Sequence, residues 1–112
     1  FRDISINHCE EVYSKLDVSL TRDDVKAESF YNNRLPKLIK RLEDEKRVTI
    51  SNGAKCIFID GEEIPVIVQK GDGGYLYATT DLSALWYRDE VLNADRVLYV
   101  VDARQAEHFR QI

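Results

Sequence analysis

Residues 64–88 read I-P-V-I-V-Q-K-G-D-G-G-Y-L-Y-A-T-T-D-L-S-A-L-W-Y-R, and this order of residue types predicts a strand, a turn, a second strand and a helix. Positions 66–68 are β-branched, which favours an extended chain. Positions 71–74 supply glycines and an aspartate, and glycine takes the positive φ angles of a tight reversal without steric cost. Positions 75–77 are apolar and aromatic, so we expect them to form the second strand.

The helix that follows is expected over residues 80–92. Thr79 or Thr80 can cap its start, because a threonine hydroxyl accepts a hydrogen bond from the free backbone N–H groups there. The apolar residues that recur at helical spacing are Leu82, Leu85 and Trp86.

Tyr77 and Asp81 lie where the second predicted strand meets this helix. Open α/β sheets bind ligands at such junctions, in the crevice outside the carboxyl ends of the strands. Spacing alone leaves two interpretations open. The pair can face a ligand, or Asp81 can stabilise the positive end of the helix dipole while Tyr77 packs in the core.

Two further helices are predicted upstream of this stretch. The first covers residues 3–16, with Ser5 as its cap, and an apolar stripe predicts its buried face. That stripe consists of Cys9, Val12, Tyr13 and Leu16. The second begins after an Asn33 cap and tolerates Pro36 in its first turn, where the amide lacks an intrahelical partner anyway. Its predicted buried residues are Leu35, Leu38, Ile39 and Leu42.

Short strands are predicted between and after these helices. Residues 18–20 favour one short strand, and residues 48–70 favour several that form an antiparallel meander. The meander is indicated by apolar runs separated by Asn-Gly at 52–53 and by other glycine-containing turns. Pro65 has no N–H to donate to a ladder, so we expect it at a strand start or on a sheet edge.

The last predicted strand covers residues 97–101, V-L-Y-V-V, which are apolar without alternation, as in strands buried on both faces of a parallel sheet. Asp102 then suits a helix cap, and Gln105 can either close a capping box with it or contact a ligand. If the strands at 75–77 and 97–101 are parallel members of one sheet, four polar side chains meet at its carboxyl edge. These are Tyr77, Asp81, Gln105 and His108.

The composition narrows the class of protein. The chain has 112 residues, 44% of them hydrophobic, which is enough for one small core. Its 16 basic and 20 acidic side chains give a net charge of −4, which argues against a chain whose main role is to coat nucleic acid. Cys9 and Cys56 are expected to be reduced thiols. The sequence has no run of membrane-spanning length and no signal peptide, which favours a cytoplasmic chain without membrane contact.

Two long motifs dominate the second half of the chain. E-I-P-V-I-V-Q-K-G-D-G-G-Y-L-Y-A-T-T-D-L with W-Y-R is followed by A-D-R-V-L-Y-V-V-D-A-R-Q-A-E-H-F. Together they resemble the arginyl-tRNA synthetases, a family of class I aminoacyl-tRNA synthetases, densely from Ile64 to Ile112. E-S-F-Y at 28–31 and S-N-G-A-K at 51–55 match more loosely. The start at Phe1 and the absence of methionine agree with an internal piece of such a protein.

The resemblance implies an α/β fold, in which residues 79–112 form the βα portion of a Rossmann-like nucleotide-binding catalytic core. Residues 1–78 would be a helical and antiparallel β insertion that precedes it. The parent enzyme would activate L-arginine with ATP and Mg²⁺ and transfer it to tRNA(Arg) in cytoplasmic protein biosynthesis. In that family the residues that match Tyr77, Asp81 and Gln105 line the arginine pocket. The residue that matches His108 lies near the adenosine of ATP.

Two signatures of this family are absent from the sequence. The chain has neither an H-x-G-H type motif nor a K-M-S-K-S type loop, with which such enzymes bind ATP. We therefore assign no catalytic residue and no metal ligand within it. We expect the isolated chain to be inactive, to bind neither ATP nor Mg²⁺, and to self-associate through its carboxyl end. The alternative function is a stand-alone small binding module that senses a cationic amino acid.

Overall fold

A computed structural model describes residues 2–112, with side chains from Asp3 onward. Position 1, which the predicted 1–78 region includes, lies outside the described residues. The chain divides into two compact units, one that ends at Phe30 and one that covers Tyr31–Ile112.

The first unit contains helix α1, Arg2–Lys15, and a short 3-10 helix, Arg22–Asp24. Arg22 joins the two, because its guanidinium pairs with the Glu10 carboxylate at 2.8 Å. The first predicted helix is confirmed to within about a residue at each end. Its predicted cap is wrong, because Ser5 lies inside the helix.

The predicted burial of the α1 stripe is also wrong, because all four of its residues are exposed. They are Cys9, Val12, Tyr13 and Leu16. Periodicity predicted the helix, but burial also needs a packing partner, and the described residues of this unit contain no strand and no second α-helix. The strand expected at 18–20 does not form, since no neighbouring strand is present there to pair with it.

Helix α2, Leu35–Asp44, follows directly on a 3-10 helix, Glu28–Arg34. Arg34 rather than Asn33 therefore precedes α2, and no side chain caps its start. Pro36 lies in the first turn, as predicted. Of the four residues predicted to be buried, three are buried and Leu42 is partly buried. The four are Leu35, Leu38, Ile39 and Leu42.

Three strands form an antiparallel sheet in the order β1, Thr49–Ser51, β2, Ala54–Ile57, and β3, Val66–Gln69. This confirms the predicted meander. The Asn-Gly turn at 52–53 has φ angles of 48° and 78°, two consecutive positive values that this dipeptide tolerates in tight hairpins. Pro65 directly precedes β3, which is an edge strand, so both positions predicted for this proline are met.

A tight turn follows β3 and leads straight into helix α3, Tyr77–Glu90. In this turn the Lys70 N–H donates to the Gly74 carbonyl oxygen at 2.8 Å, and Gly73 has φ 86°. The second strand predicted at 75–77 is therefore wrong. Helix α3 begins three residues before its expected start at residue 80.

A hydrogen bond from Thr79 holds the start of α3 against β3. The Thr79 hydroxyl donates to the Val68 carbonyl oxygen of β3 at 2.5 Å, and both residues are fully buried. Thr79 is not the cap that the sequence predicted, because Leu76 occupies that position without a side-chain bond.

Two apolar clusters fill the second unit. The first joins α2 to α3 and consists of Tyr31, Leu35, Ala84 and Tyr87. The second joins α2, β3 and α3 and consists of Ile39, Val66, Val68 and Ala78. Burying one large apolar side chain stabilises a fold by roughly 1.5–3 kcal/mol, so these contacts fix α3 firmly against the sheet and α2.

The chain between α3 and the last helix contains no strand, so the buried parallel strand predicted at 97–101 is wrong. Leu98 is 72% exposed and Val100 is 98% exposed. A strand buried on both faces needs neighbours that pair with its backbone. The strands in the described residues all belong to the antiparallel sheet. The described chain thus has helices and a small antiparallel sheet, and no parallel, Rossmann-like sheet forms within it.

The chain ends in a 3-10 helix, Ala103–Gln105, and helix α4, Ala106–Gln111. Asp102 caps the first of these, as predicted, by accepting a hydrogen bond from the Arg104 N–H at 2.9 Å. The Arg104 side chain and this N–H hold the pKa of Asp102 below its ordinary value. None of the helices in the described part of the chain is long and apolar enough to cross a membrane.

Replacing Thr79 by valine leaves the buried Val68 carbonyl without its hydroxyl donor. We expect the free energy of unfolding, measured by chemical denaturation, to fall by about 1–3 kcal/mol. Thr80→Val makes the same chemical change at a partly exposed neighbour whose side chain forms no hydrogen bond within the described residues, and it should cost less than about 0.5 kcal/mol. Equal losses in the two variants would show that the Thr79 bond does not hold α3 on β3.

The exposed apolar segment 97–101 leads us to expect self-association of the isolated chain through this end. Analytical ultracentrifugation should show an average mass that rises above the 13.0 kDa monomer with concentration. Replacing both Leu98 and Val100 by lysine should restore the monomer. The control replaces Leu16 and Leu20 by lysine, because both are also exposed and apolar but lie far from residues 97–101 in the sequence. The control variant should still self-associate. A chain that stays monomeric at high concentration would contradict this expectation.

Candidate functional site

Helix α3 presents two polar side chains on its outer face near its start. Thr79 anchors the inner face, and residues two positions apart on a helix are rotated by about 200° from each other. Tyr77 and Asp81 lie two positions before and after Thr79, so they share the outer face, four residues apart. The exposures agree, because Tyr77 is 66% exposed and the Asp81 side chain 34%, against a fully buried Thr79.

Asp81 is hydrogen-bonded to His108 of α4, 27 residues further along the chain. The His108 Nε2 atom lies 2.7 Å from Asp81 Oδ2. An ionised carboxylate can only accept hydrogen bonds, so Nε2 carries the proton and donates it. The His108 side chain is 16% exposed, which shelters this bond from competing water.

Two aromatic rings hold the His108 imidazole in place. The Tyr77 ring centroid lies 4.8 Å from the imidazole centroid, with the ring planes at 57°. The Phe109 centroid lies 4.9 Å away, with the planes at 67°. Tilted and edge-on contacts at these distances are favourable arrangements for aromatic rings. Three of the four predicted site residues, Tyr77, Asp81 and His108, therefore form one contacting cluster.

The cluster depends on contacts that fold α4 back onto α3. The Arg88 guanidinium donates to the Tyr99 hydroxyl at 3.1 Å, and it lies 5.4 Å from the centre of the same ring. Tyr99 in turn packs on Phe109, with centroids 4.4 Å apart. No functional role was predicted from the sequence for Arg88, Tyr99 or Phe109. Arg88, Tyr99 and Phe109 belong to the W-Y-R, V-L-Y-V-V and A-E-H-F motifs, respectively. A sequence motif does not show which residues contact each other in the fold.

Gln105, the fourth predicted residue, lies at the start of α4, one helical turn before His108. It is exposed, and its side chain forms no hydrogen bond within the described residues. Its backbone N–H donates to the Asp102 carbonyl oxygen at 2.9 Å. The predicted capping box therefore does not form, because the Asp102 side chain bonds to the Arg104 N–H and not to that of Gln105. The structure also does not bring Gln105 into the Asp81–His108 cluster.

A cavity of about 330 Å³ opens beside the cluster. Its walls come from the chain at the start of β3, the start of α3 and helix α4. The lining includes Pro65, Ile67, Leu76, Tyr77, His108 and Gln111. Small-molecule pockets typically measure about 300–1,000 Å³ and are mostly apolar with a few polar groups. The cavity is of that kind and size.

Ion pairs of Arg110 help to fix helix α4. The Arg110 guanidinium bonds to Glu107 at 2.6 Å and also to Glu62, in the loop that leads to β3. The Glu107 and Glu62 carboxylates raise the pKa of Arg110 above its ordinary value. The Arg110 bond holds the pKa of Glu107 below its ordinary value. Arg110 thus connects α4 to the loop that leads to β3.

The described residues contain no group of three or more histidine, cysteine, aspartate or glutamate side chains that could hold a metal ion. Cys9 is exposed and Cys56 is buried, and both are free thiols. Within the part of the chain that the structure describes, no serine, threonine or cysteine is hydrogen-bonded to His108.

The arrangement is suited to binding a cation. An aspartate carboxylate offers about four lone-pair sites, and His108 occupies one of them. The remaining sites can accept two parallel hydrogen bonds from a planar guanidinium, which is a strong charge-assisted geometry. The exposed Tyr77 ring can pack against the same cation.

Comparisons with known proteins agree on one family. A family model described as "tRNA synthetases class I (R), catalytic domain" matches residues 1–112. A protein named arginine–tRNA ligase from Shewanella sp. (strain ANA-3) is 58% identical over 118 residues, which cover 100% of this chain and 20% of that relative. A protein of the same name from Shewanella baltica (strain OS155) is 57% identical with the same coverage. The chain spans about a fifth of the length of the curated relatives it matches.

A solved structure gives the same result for the fold. The crystal structure of arginyl-tRNA synthetase from Plasmodium falciparum superposes on this chain with a TM-score of 0.85 and 34% sequence identity. The match covers 96% of this chain and 19% of that one. The combination of helices with a small antiparallel sheet is therefore shared with that structure.

Proposed function

The chain belongs to the class I arginyl-tRNA synthetase family, and we propose that it is part of an arginine–tRNA ligase. Such an enzyme activates L-arginine with ATP and transfers the arginine to tRNA(Arg) for protein biosynthesis. The support is the identity of 58% with a protein of that name over the whole of this chain. The same match disfavours the alternative of a stand-alone module that senses a cationic amino acid. A role in protein biosynthesis also supports a cytoplasmic location.

The finer architecture is part of this proposal. Residues 79–112 would belong to the Rossmann-like catalytic core of the enzyme, and residues 1–78 to the insertion that precedes it. The match of residues 1–112 to a family model described as a catalytic domain supports this assignment.

The proposed arginine site consists of Tyr77, Asp81 and Gln105. The observation that carries it is the Asp81 carboxylate, which is held by His108 at 2.7 Å and still has lone pairs to offer. A guanidinium would receive two parallel bonds from this carboxylate, with Tyr77 against its face. Gln105 has one acceptor and two donors, which suit the amino and carboxyl groups of an amino acid.

ATP is proposed as the second substrate, with His108 in the vicinity of its adenosine. Mg²⁺ would accompany the phosphates of ATP, since this ion is usually held by one or two carboxylates, water and substrate phosphates. The described residues offer no dedicated cluster of metal ligands of their own. What they supply in this scheme is the binding and orientation of arginine.

Asp81→Ala in the full-length protein tests the arginine site. Removing one side of a buried, hydrogen-bonded charge pair costs on the order of 2–5 kcal/mol. We therefore expect kcat/KM for arginine in ATP–pyrophosphate exchange to fall at least about tenfold, which corresponds to 1.36 kcal/mol. The fold should survive, because Asp81 lies outside the two apolar clusters that hold α2, β3 and α3 together.

The matched control for this test is Asp89→Ala. Asp89 is an exposed carboxylate further along the same helix, without a hydrogen bond within the described residues. This variant should keep the activity of the unaltered protein. If Asp81→Ala instead melts early and uses arginine normally, Asp81 is a helix-stabilising residue and the proposed site is wrong.

The isolated chain provides a second test. Because the H-x-G-H and K-M-S-K-S type motifs are absent from its sequence, donors for the developing phosphoryl charge are missing. We expect no arginine-dependent pyrophosphate exchange above the buffer background from the purified 112-residue chain. The full-length protein, assayed in parallel, is the positive control. Turnover that co-purifies with the isolated chain would overturn this expectation.

A further inference from the structure

Recognition of a guanidinium by two parallel hydrogen bonds requires a carboxylate whose plane is fixed. The terminal torsion of an aspartate side chain is broad, so the Asp81 carboxylate would rotate without a restraint. The contact that restrains it in the described chain is the bond from His108 Nε2 to Oδ2, at 2.7 Å. His108 therefore determines where the second oxygen, Oδ1, points.

His108 can do this because its own ring is held. Tyr77 and Phe109 contact the imidazole at centroid distances of 4.8 Å and 4.9 Å. Phe109 packs on Tyr99, and the Tyr99 hydroxyl accepts a bond from Arg88 at 3.1 Å. Arg88 lies on the same helix as Asp81, so the contacts form a closed path that begins and ends on α3.

The bond to His108 leaves Asp81 able to bind a ligand. A carboxylate has about four lone-pair sites, of which the imidazole takes one and a guanidinium needs two. The Asp81 side chain is also partly exposed, whereas His108 is more deeply buried. The two partners can thus bond to the same carboxylate at once, one from the protein side and one from the solvent side.

We propose that His108 is a positioning residue for arginine, which orients the Asp81 carboxylate so that its remaining lone pairs meet the guanidinium. This inference rests on the proposed function, since it assumes that Asp81 binds arginine. It assigns His108 a role on the amino-acid side of the site in addition to its place near ATP. Its consequence is that arginine affinity depends on a side chain that does not itself touch arginine.

The experiment uses the full-length protein and measures KM for arginine and KM for ATP separately in pyrophosphate exchange. His108→Ala should raise KM for arginine about tenfold, the usual scale for losing a hydrogen bond to a charged group. His108→Gln retains an N–H donor at a similar reach and should recover part of this loss. In both variants KM for arginine should rise by a larger factor than KM for ATP. His8→Ala, which alters an exposed histidine of α1, is the control.

A double-mutant cycle separates positioning from a general effect on the fold. When Asp81→Ala is already present, adding His108→Ala should change KM for arginine by less than about twofold, because no carboxylate is left to orient. Thermal melting of each variant verifies that the fold is kept. If His108→Ala fails to fold, His108→Gln against the control still tests the proposal.

Three outcomes would overturn the inference while the proposed arginine site stands. In each of them Asp81→Ala loses arginine, but His108→Ala leaves KM for arginine unchanged, lowers it, or raises KM for ATP instead. A lowered KM would mean that the imidazole competes with arginine for the carboxylate. A raised KM for ATP would mean that His108 acts as an ATP contact alone. If Asp81→Ala itself uses arginine normally, the proposed site fails, and the positioning role fails with it.

Discussion

The hydrogen bond from the Thr79 hydroxyl to the Val68 carbonyl determines where the functional side chains lie. It joins two fully buried residues, one at the start of α3 and one in the edge strand β3. A helix fixed by one face must present the opposite face to solvent, and residues two positions away are rotated by about 200°. Tyr77 and Asp81 therefore point outward together. An unpaired carbonyl at this depth would be costly, so the helix cannot easily turn about its axis.

A second constraint places α4 against this outer face. The segment 97–101 has no strand partners in the described chain, so ladder hydrogen bonds do not position it. Side-chain contacts do so instead, from Arg88 to Tyr99, from Tyr99 to Phe109, and from His108 back to Asp81. The attachment of α4 to α3 therefore depends on a few polar and aromatic contacts. It should therefore be the more easily opened part of the second unit, in contrast to the packed α2–α3–β3 core.

Sequence and structure identify different features of the candidate site. The resemblance to arginyl-tRNA synthetases named Tyr77, Asp81, Gln105 and His108, and the family is supported by the comparisons over the whole chain. Spacing alone left the functional and structural interpretations of Tyr77 and Asp81 open. The structure adds the contact between Asp81 and His108, residues 27 positions apart, which no local pattern encodes. It leaves Gln105 outside the contacting cluster, and its role remains a proposal.

The sequence by itself determined the features that neighbouring residues decide. The Asn-Gly turn at 52–53 needs two positive φ angles, and this dipeptide supplies them at low cost. The apolar period of α2 likewise selected the residues it buries. Tertiary structure decided the conformation of those segments in which contacts distant in sequence outweighed the local preference. Residues 75–77 favour a strand, yet α3 starts at Tyr77, and its Thr79 forms a buried bond to β3. The apolar run 97–101 stays unpaired, because a strand forms only when another backbone lies beside it.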